Sequence, residues 1–197
     1  MPASAKRSSA LIVTTPSDRE IVLTRVFQAP RHLVFEALTR PEHVPQWYGP
    51  RGWTLPVCEM DLRAGGAWRY VMQSPDGRKV GMRGVYREIV APRRLVSTES
   101  FDDYPGESLN TLTLTEENGK TRVTVHVQYE SKAIRDAVIH SGMERGAGET
   151  YDRLAEHLAE MLGSPTAAPE LVITRTGSPG SRSGRAVLKR SAPCSLW

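Results

Sequence analysis

Residues 121–162 read TRVTVHVQYESKAIRDAVIHSGMERGAGETYDRLAEHLAEML, and the change of period within them decides the fold. In the first part Val123, Val125, Val127 and Tyr129 alternate with Arg122, Thr124, His126 and Gln128. Successive strand side chains point to opposite faces, so this alternation predicts a sheet with one buried face. Farther on, Met143, Ala147, Tyr151, Leu154, Leu158, Met161 and Leu162 follow one another at helical spacing. They form one apolar stripe and predict a long amphipathic helix over 143–162. Its other side carries Glu144, Arg145, Glu149, Asp152, Arg153, Glu156 and Glu160, with Glu149 and Arg153 spaced for an i,i+4 ion pair. Ser131 is placed to cap a shorter helix through about His140. Gly163-Ser164-Pro165 ends the long helix.

Upstream, the chain reads as a meander. EIVLTRVF (20–27) is a β-rich run, and Pro30 then opens a helix carrying Leu33, Val34, Ala37 and Leu38. A second short helix runs to Trp47. Strands follow at 53–60, 67–73, 79–90, 95–101, 108–115 and 121–129, with turns at Asp61–Gly66, Ser74–Gly77 and Glu117–Gly119. Gly81 and Gly84 inside a strand suggest a bulge. Short hairpin connections join antiparallel neighbours and exclude a parallel αβ fold. The long helix is the element large enough to cover the sheet. The expected architecture is α+β: a curved antiparallel sheet of about six or seven strands around a long C-terminal helix, with two short helices after the first strand.

Composition is that of a globular chain, with 39% hydrophobic and 24% charged residues, enough for a core. No apolar run approaches the ~20 residues that span a bilayer, and Ala10–Val13 is too short for a signal-peptide core. The expectation is a cytoplasmic protein without membrane contact. The basic balance lies at the ends. Residues 1–19 carry +2 and residues 164–197 carry +4 of a net +4, which leaves −2 on 20–163. That distribution argues against a nucleic-acid partner. The Ser/Ala/Thr-rich residues 1–19 and the Gly/Ser/Pro-rich residues 164–197 are expected to be mobile flanks of one domain at 20–163. Cys58 and Cys194 read as separate free thiols.

In sequence order, the chain carries Thr24-Arg25-Val26-Phe27 with Ala29-Pro30, and Val34-Phe35 with Ala37-Leu38-Thr39. It then carries Trp47-Tyr48-Gly49-Pro50 and Asp61-Leu62-Arg63-Ala64-Gly65-Gly66. Gly84 with Pro92-Arg93-Arg94-Leu95 and Gly142-Met143-Glu144-Arg145-Gly146 with Asp152-Arg153-Leu154 complete the set. This ordered set, spanning roughly 20–163, resembles the START-like (SRPBCC) superfamily. Within it the set is similar to the branch named for the C-terminal domain of the activator of the ninety-kilodalton heat-shock-protein ATPase. The resemblance implies the helix-grip fold and an apolar cavity between sheet and helix. Members bind lipids, polyketides or other apolar small molecules, and some catalyse cyclisation. The eukaryotic activator also depends on a separate N-terminal domain, which residues 1–19 are too few to supply. The implied partner is therefore a small apolar molecule. A polyketide cyclase-like enzyme, a chaperone contact and a homodimer are the alternatives.

The candidate pocket residues are Trp47, Trp53, Trp68, Tyr70, Met72, Met82, Tyr86, Phe101, Met143 and Tyr151, which either line a cavity or fill the core. Tyr70, Tyr86 and Tyr151 stand out because a buried hydroxyl needs a partner. Gly142, Gly146 and Gly148 admit two readings, close packing of the helix on the sheet or room for a ligand. His126 falls on the polar phase of its strand. Glu59, Asp61, Asp102 and Asp103 read as solvated acids at turns. No catalytic set, metal-ligand spacing or phosphate-cradling loop is present in the sequence, and no cofactor is implied. Finally, ELVITR at 170–175 echoes EIVLTR at 20–25, which reads either as coincidence in a short β-like segment or as the remnant of a second copy of the domain.

Overall fold

The computed structural model describes residues 10–163. Its elements in chain order are β1 (Ile12–Thr14), β2 (Glu20–Phe27), α1 (Arg31–Thr39), α2 (Val44–Trp47), β3 (Thr54–Met60), β4 (Ala67–Gln73), β5 (Lys79–Val90), β6 (Arg94–Phe101), β7 (Ser108–Glu117), β8 (Lys120–Tyr129), α3 (Lys132–His140) and α4 (Met143–Gly163). The strands form one antiparallel sheet of eight, in the order β1-β2-β8-β7-β6-β5-β4-β3. The meander β3 to β8 uses tight hairpins, and β2 pairs with β8 over its whole length, from Glu20↔Gln128 to Phe27↔Thr121. This is the helix-grip architecture.

The sheet's inner face is set by its alternation. On β2, Ile21, Leu23, Arg25 and Phe27 are buried. Residues directly opposite across a ladder share a face, so Val127, Val125 and Val123 of β8 join them. Trp68, Tyr70, Met82, Tyr86, Leu95 and Leu114 continue the same surface toward β4. Leu154 and Leu158 of α4 are buried in that core, and the Tyr151 ring meets Phe27 edge-on at 6.0 Å. The predicted stripe is therefore the packed one, except that Leu162 at the helix end is 52% exposed. At the start of α3, the Ser131 hydroxyl accepts the Ile134 N–H at 3.3 Å, the cap read from the sequence.

The eighth strand corrects the expected count, because β1 lies inside the stretch read as a mobile flank. Ile12, Val13 and Thr14 pair with Thr24, Leu23 and Val22. Val13, with Leu11, packs against Ile21 and Leu23, while Ile12 and Thr14 face solvent. Half-burial of Val13 and Leu11 on a ready-made edge is enough to hold a short strand there. At the opposite edge, β3 carries Pro56, whose missing N–H is tolerated on a strand with one neighbour.

The Asp61–Gly66 turn has a steric logic. Gly65 has φ +82°, and a Cβ on Gly66 would lie 2.0 Å from the Asp61 carbonyl oxygen. The expected bulge of β5 lies elsewhere than predicted: the register shifts between Tyr86 and Glu88. Gly81 and Gly84 instead let neighbours approach, since a Cβ at Gly81 would meet the Asp102 carboxylate and one at Gly84 the Thr98 carbonyl. No helix among the described residues is long and apolar enough to cross a membrane. Residues 170–175, the proposed echo of the first strand, and Cys194 lie outside the described residues.

Candidate functional site

The inner face changes character along β6 and β7. On β6, Ser97 opposes Tyr86 and Phe101 opposes Met82, so the residue midway between them, Glu99, also points inward. Glu99 opposes Ser108, and Asn110 opposes both Ser97 and Val127. The Ser108 hydroxyl lies 3.5 Å from the Glu99 carbonyl oxygen and 3.4 Å from Asn110 Oδ1, which links the three residues. Burial raises the Glu99 carboxyl above its usual range, against the smaller lowering by Asn110. Burial pushes up the phenols of Tyr48, after α2, and Tyr129, at the end of β8, and an ionised Glu99 would raise both further. Glu99, Asn110, Leu112, Val125 and Tyr129 all face α4 from the middle of the sheet, yet each keeps accessible surface.

Beside this polar patch lies an aromatic wall. Trp47, Trp68, Tyr70, Met82 and Tyr86 are buried in one core, with Met72, Phe101 and Tyr151 half-buried against it. The Tyr70 ring meets Tyr48 edge-on at 5.1 Å and lies tilted against Trp68 at 5.0 Å. The Tyr48 hydroxyl donates to Met82 Sδ at 3.1 Å. Burial pushes the phenols of Tyr70 and Tyr86 up and that of Tyr151 to about 12, so all three keep their protons at neutral pH. Cys58 opposes Tyr70, and desolvation raises its thiol to about 11, which makes it a weak nucleophile. Trp53 and Met143 stand apart from this group. The Trp53 ring lies 5.4 Å beneath the Arg78 guanidinium, and Met143 packs against Ile21, Leu23 and Val127.

Three residues that the sequence placed on the solvated side of α4, Arg153, Glu149 and Asp152, tie the helix to the elements around this wall. Arg153 was expected to pair with Glu149. Its Nη1 instead lies 2.8–3.4 Å from the carbonyl oxygens of Tyr48, Gly49, Pro50 and Trp53, and its Nη2 donates to Gln46 O at 3.1 Å. Five donors on a planar fork suit a cluster of carbonyls better than one distant carboxylate does. Glu149 accepts from Arg145 Nε at 3.2 Å and from the Arg51 N–H at 3.2 Å. Asp152 receives the buried Arg25 of β2 at 2.6 Å. Trp47 Nε1 donates to Ala37 O at 2.9 Å, so α1, α2 and the loop to β3 form one unit under α4.

The glycines of α4 do not serve close packing. A Cβ at Gly148 would meet nothing within 4 Å, and one at Gly146 would make an ordinary 3.6 Å contact with Pro50. His126 faces outward, 3.0 Å from Glu20. Glu59 is exposed, and Asp61 pairs with Arg63 at 2.9 Å. Asp102 departs from the expected solvated turn. It folds over Gly81 and takes Arg69 at 2.7 Å together with Arg83.

Two depressions lie away from the inner face. One of about 450 Å³ on the outer side of β3–β6 is lined by Arg69, Arg83, Ser100 and Glu107, and Trp68 reaches its floor with Nε1 buried and unpartnered. Asp102 already neutralises its two arginines. A smaller one of about 160 Å³ lies between β1 and the helices, lined by Val13, Ile139 and Met143. Among the described residues, no group of three metal-ligating side chains is gathered.

Glu99, Tyr48, Tyr129 and Asn110 were missed by sequence reasoning. A signal for Glu99 existed, since it shares parity with Leu95 and Phe101, but RLVSTESF does not alternate cleanly enough to show its phase.

The fold matches solved structures. A Rhodobacter sphaeroides protein is 32% identical, with TM-score 0.74 over 77% of this chain and 99% of that one. A Nitrosomonas europaea protein is 27% identical, with TM-score 0.69 over 76% of this chain and 100% of its own. A Chromobacterium violaceum protein is 28% identical, with TM-score 0.65 over 72% and 98%. Among curated proteins, none matches the chain. The profile of a family described as "Activator of Hsp90 ATPase homolog 1-like protein" matches residues 28–159, which covers α1 through most of α4. The strand ladder, the gripped helix and the sequence motifs that join them thus agree with that match, and the chain belongs to the Activator of Hsp90 ATPase homolog 1-like family of the START-like superfamily.

Proposed function

We propose that the chain binds a small, largely apolar molecule between the inner face of the sheet and α4. The observation that carries this reading is the residual accessibility of Glu99, Asn110, Leu112 and Val125. These residues sit on central strands with neighbours on both sides, where a sheet tightly covered by its helix would seal them. Such a site has the usual make-up of a ligand pocket: apolar and aromatic walls with a few converging polar groups. The wall here is Phe27, Tyr70, Met82 and Leu154, and the polar groups are Glu99, Asn110 and the phenols of Tyr48 and Tyr129. The binding-type fold of the family supports the same reading.

Native mass spectrometry of the purified full chain, followed by thermal unfolding against a panel of lipids and aromatic metabolites, tests it. A copurified small mass, or a stoichiometric ligand that raises the melting temperature, is the expected result. A crystal structure in which side chains fill the interior, together with no shift from any compound, would overturn the proposal.

A further inference from the structure

Glu99 is the acid on the inner face whose charge no ion pair balances among the described residues. The ladder sets it in one row with Ser108 and Tyr129 and diagonal to Asn110, while the Tyr48 hydroxyl reaches Met82, the partner of Phe101, from the loop after α2. Ser97 and Ser108 flank it on the same face and are buried. A polar head reaching this point would therefore meet hydrogen-bonding groups and no cation. We infer that Glu99 is the anchor of the binding site, donating its carboxylic-acid proton in a hydrogen bond to a carbonyl or similar oxygen on an uncharged, otherwise apolar ligand. The inference rests on the binding reading above and names the class of molecule that fits it.

Charge decides the class. Burial favours the neutral acid, and the neighbouring phenols add no positive potential to oppose it. A ligand carboxylate brought against Glu99 would force two acids to share one proton, which disfavours fatty-acid-like molecules. An ammonium head would have to ionise Glu99 and bury a charge pair, for which the site supplies few extra partners. A ketone, ester or quinone oxygen needs only the donor that the protonated carboxyl offers.

The test uses matched naphthalene probes on the full chain. They are 6-propionyl-2-(dimethylamino)naphthalene, a neutral fluorescent ketone, its 2-naphthoate analogue, and 2-naphthylmethylammonium. The wild-type chain is expected to bind the ketone with enhanced emission, and the carboxylate and ammonium at least about tenfold more weakly, the factor associated with losing one net hydrogen bond. Glu99→Leu is expected to lose roughly tenfold for the ketone, and Glu99→Gln, which keeps an N–H donor, to retain it. Glu99→Gln should also narrow the gap between ketone and carboxylate, because an amide does not compete for the proton; this readout serves even where Glu99→Leu does not fold. Ketone binding by the wild-type chain that is unchanged in Glu99→Leu, or a preference for the ammonium that Glu99→Gln abolishes, overturns the anchor and leaves the pocket standing. No binding of any probe to the wild-type chain, with no ligand from the broader panel, overturns the pocket and the anchor together.

Discussion

Arg25 of β2 and Asp152 of α4 meet at 2.6 Å, an ion pair that runs from the inner face of the sheet to the helix lying across it. Arg25 is 5% exposed and Asp152 is 53% exposed. The guanidinium also lies 5.6 Å from the Phe27 ring centre and 3.5 Å from the Gly148 carbonyl oxygen. Removing the carboxylate leaves a buried cation undercompensated, whereas removing both charges need not. Asp152→Ala is therefore expected to cost about 1–2 kcal/mol, below the ~3–5 kcal/mol of a fully buried pair because Asp152 faces water. Arg25→Met with Asp152→Ala should recover part of that loss. Urea denaturation of the single and double variants measures the coupling.

Arg153 holds the 46–53 segment through its carbonyls. Arg153→Ala is expected to cost about 1–2 kcal/mol, the lower part of the range for unpaired buried polar groups, because these carbonyls are only partly buried. Arg153→Lys should fail to rescue it, since an ammonium cannot span the same carbonyls. Limited proteolysis around 48–53, read beside thermal unfolding, distinguishes loosening of this segment from a general loss of stability.

His43 Nδ1 and His157 Nε2 lie 3.1 Å apart, joining α4 to the N-cap of α2. Desolvation, with His43 as the second cause, lowers the His157 pKa below 6.5. The folded state then holds fewer protons than the unfolded one below pH 6.5. Its contribution is intact above that value and lost as pH falls through the lowered folded pKa. Glu99 acts in the opposite sense: its raised pKa makes its contribution greatest below 4.5 and lost as pH rises through the folded value. His157→Gln should therefore flatten the fall in melting temperature as pH drops below about 6.5. A wild-type slope that survives the substitution would refute this assignment.

Gly148 lies within α4 with open space where a Cβ would be. Gly148→Ala is expected to raise stability by about 0.5–1 kcal/mol by lowering the entropy lost in forming the helix. Differential scanning calorimetry reads the gain. A weaker affinity for the neutral ketone in the same variant would show that the open space belongs to the ligand.

The parts of the fold legible in the sequence were those written in local periodicity. The alternation of Val123–Tyr129 and the stripe from Met143 to Leu158 each identify an element and its buried face without knowledge of the partner. What the sequence hid depends on partners distant in the chain. Ile12–Thr14 carries too short a pattern to be read as a strand, because its stability comes from Val22–Thr24. Glu149 and Arg153 have ideal spacing for each other, yet tertiary contacts with the 46–53 segment take the arginine away. Asp102 reads as a turn acid because Arg69 and Arg83 come from other strands. Glu99 was hidden for a related reason: Arg94–Phe101 is buried on both faces near its start, so polarity along it does not report direction.

The pairing of Glu20–Phe27 with Thr121–Tyr129 has a consequence for biosynthesis. The strand that leaves the ribosome early receives its inner neighbour only after the β3–β7 meander has emerged. Until then its ladder groups are unmatched on that side, an exposed template for pairing with another nascent chain. Premature termination anywhere before Thr121 would make that exposure permanent, and such fragments should aggregate while chains that reach Gly163 fold.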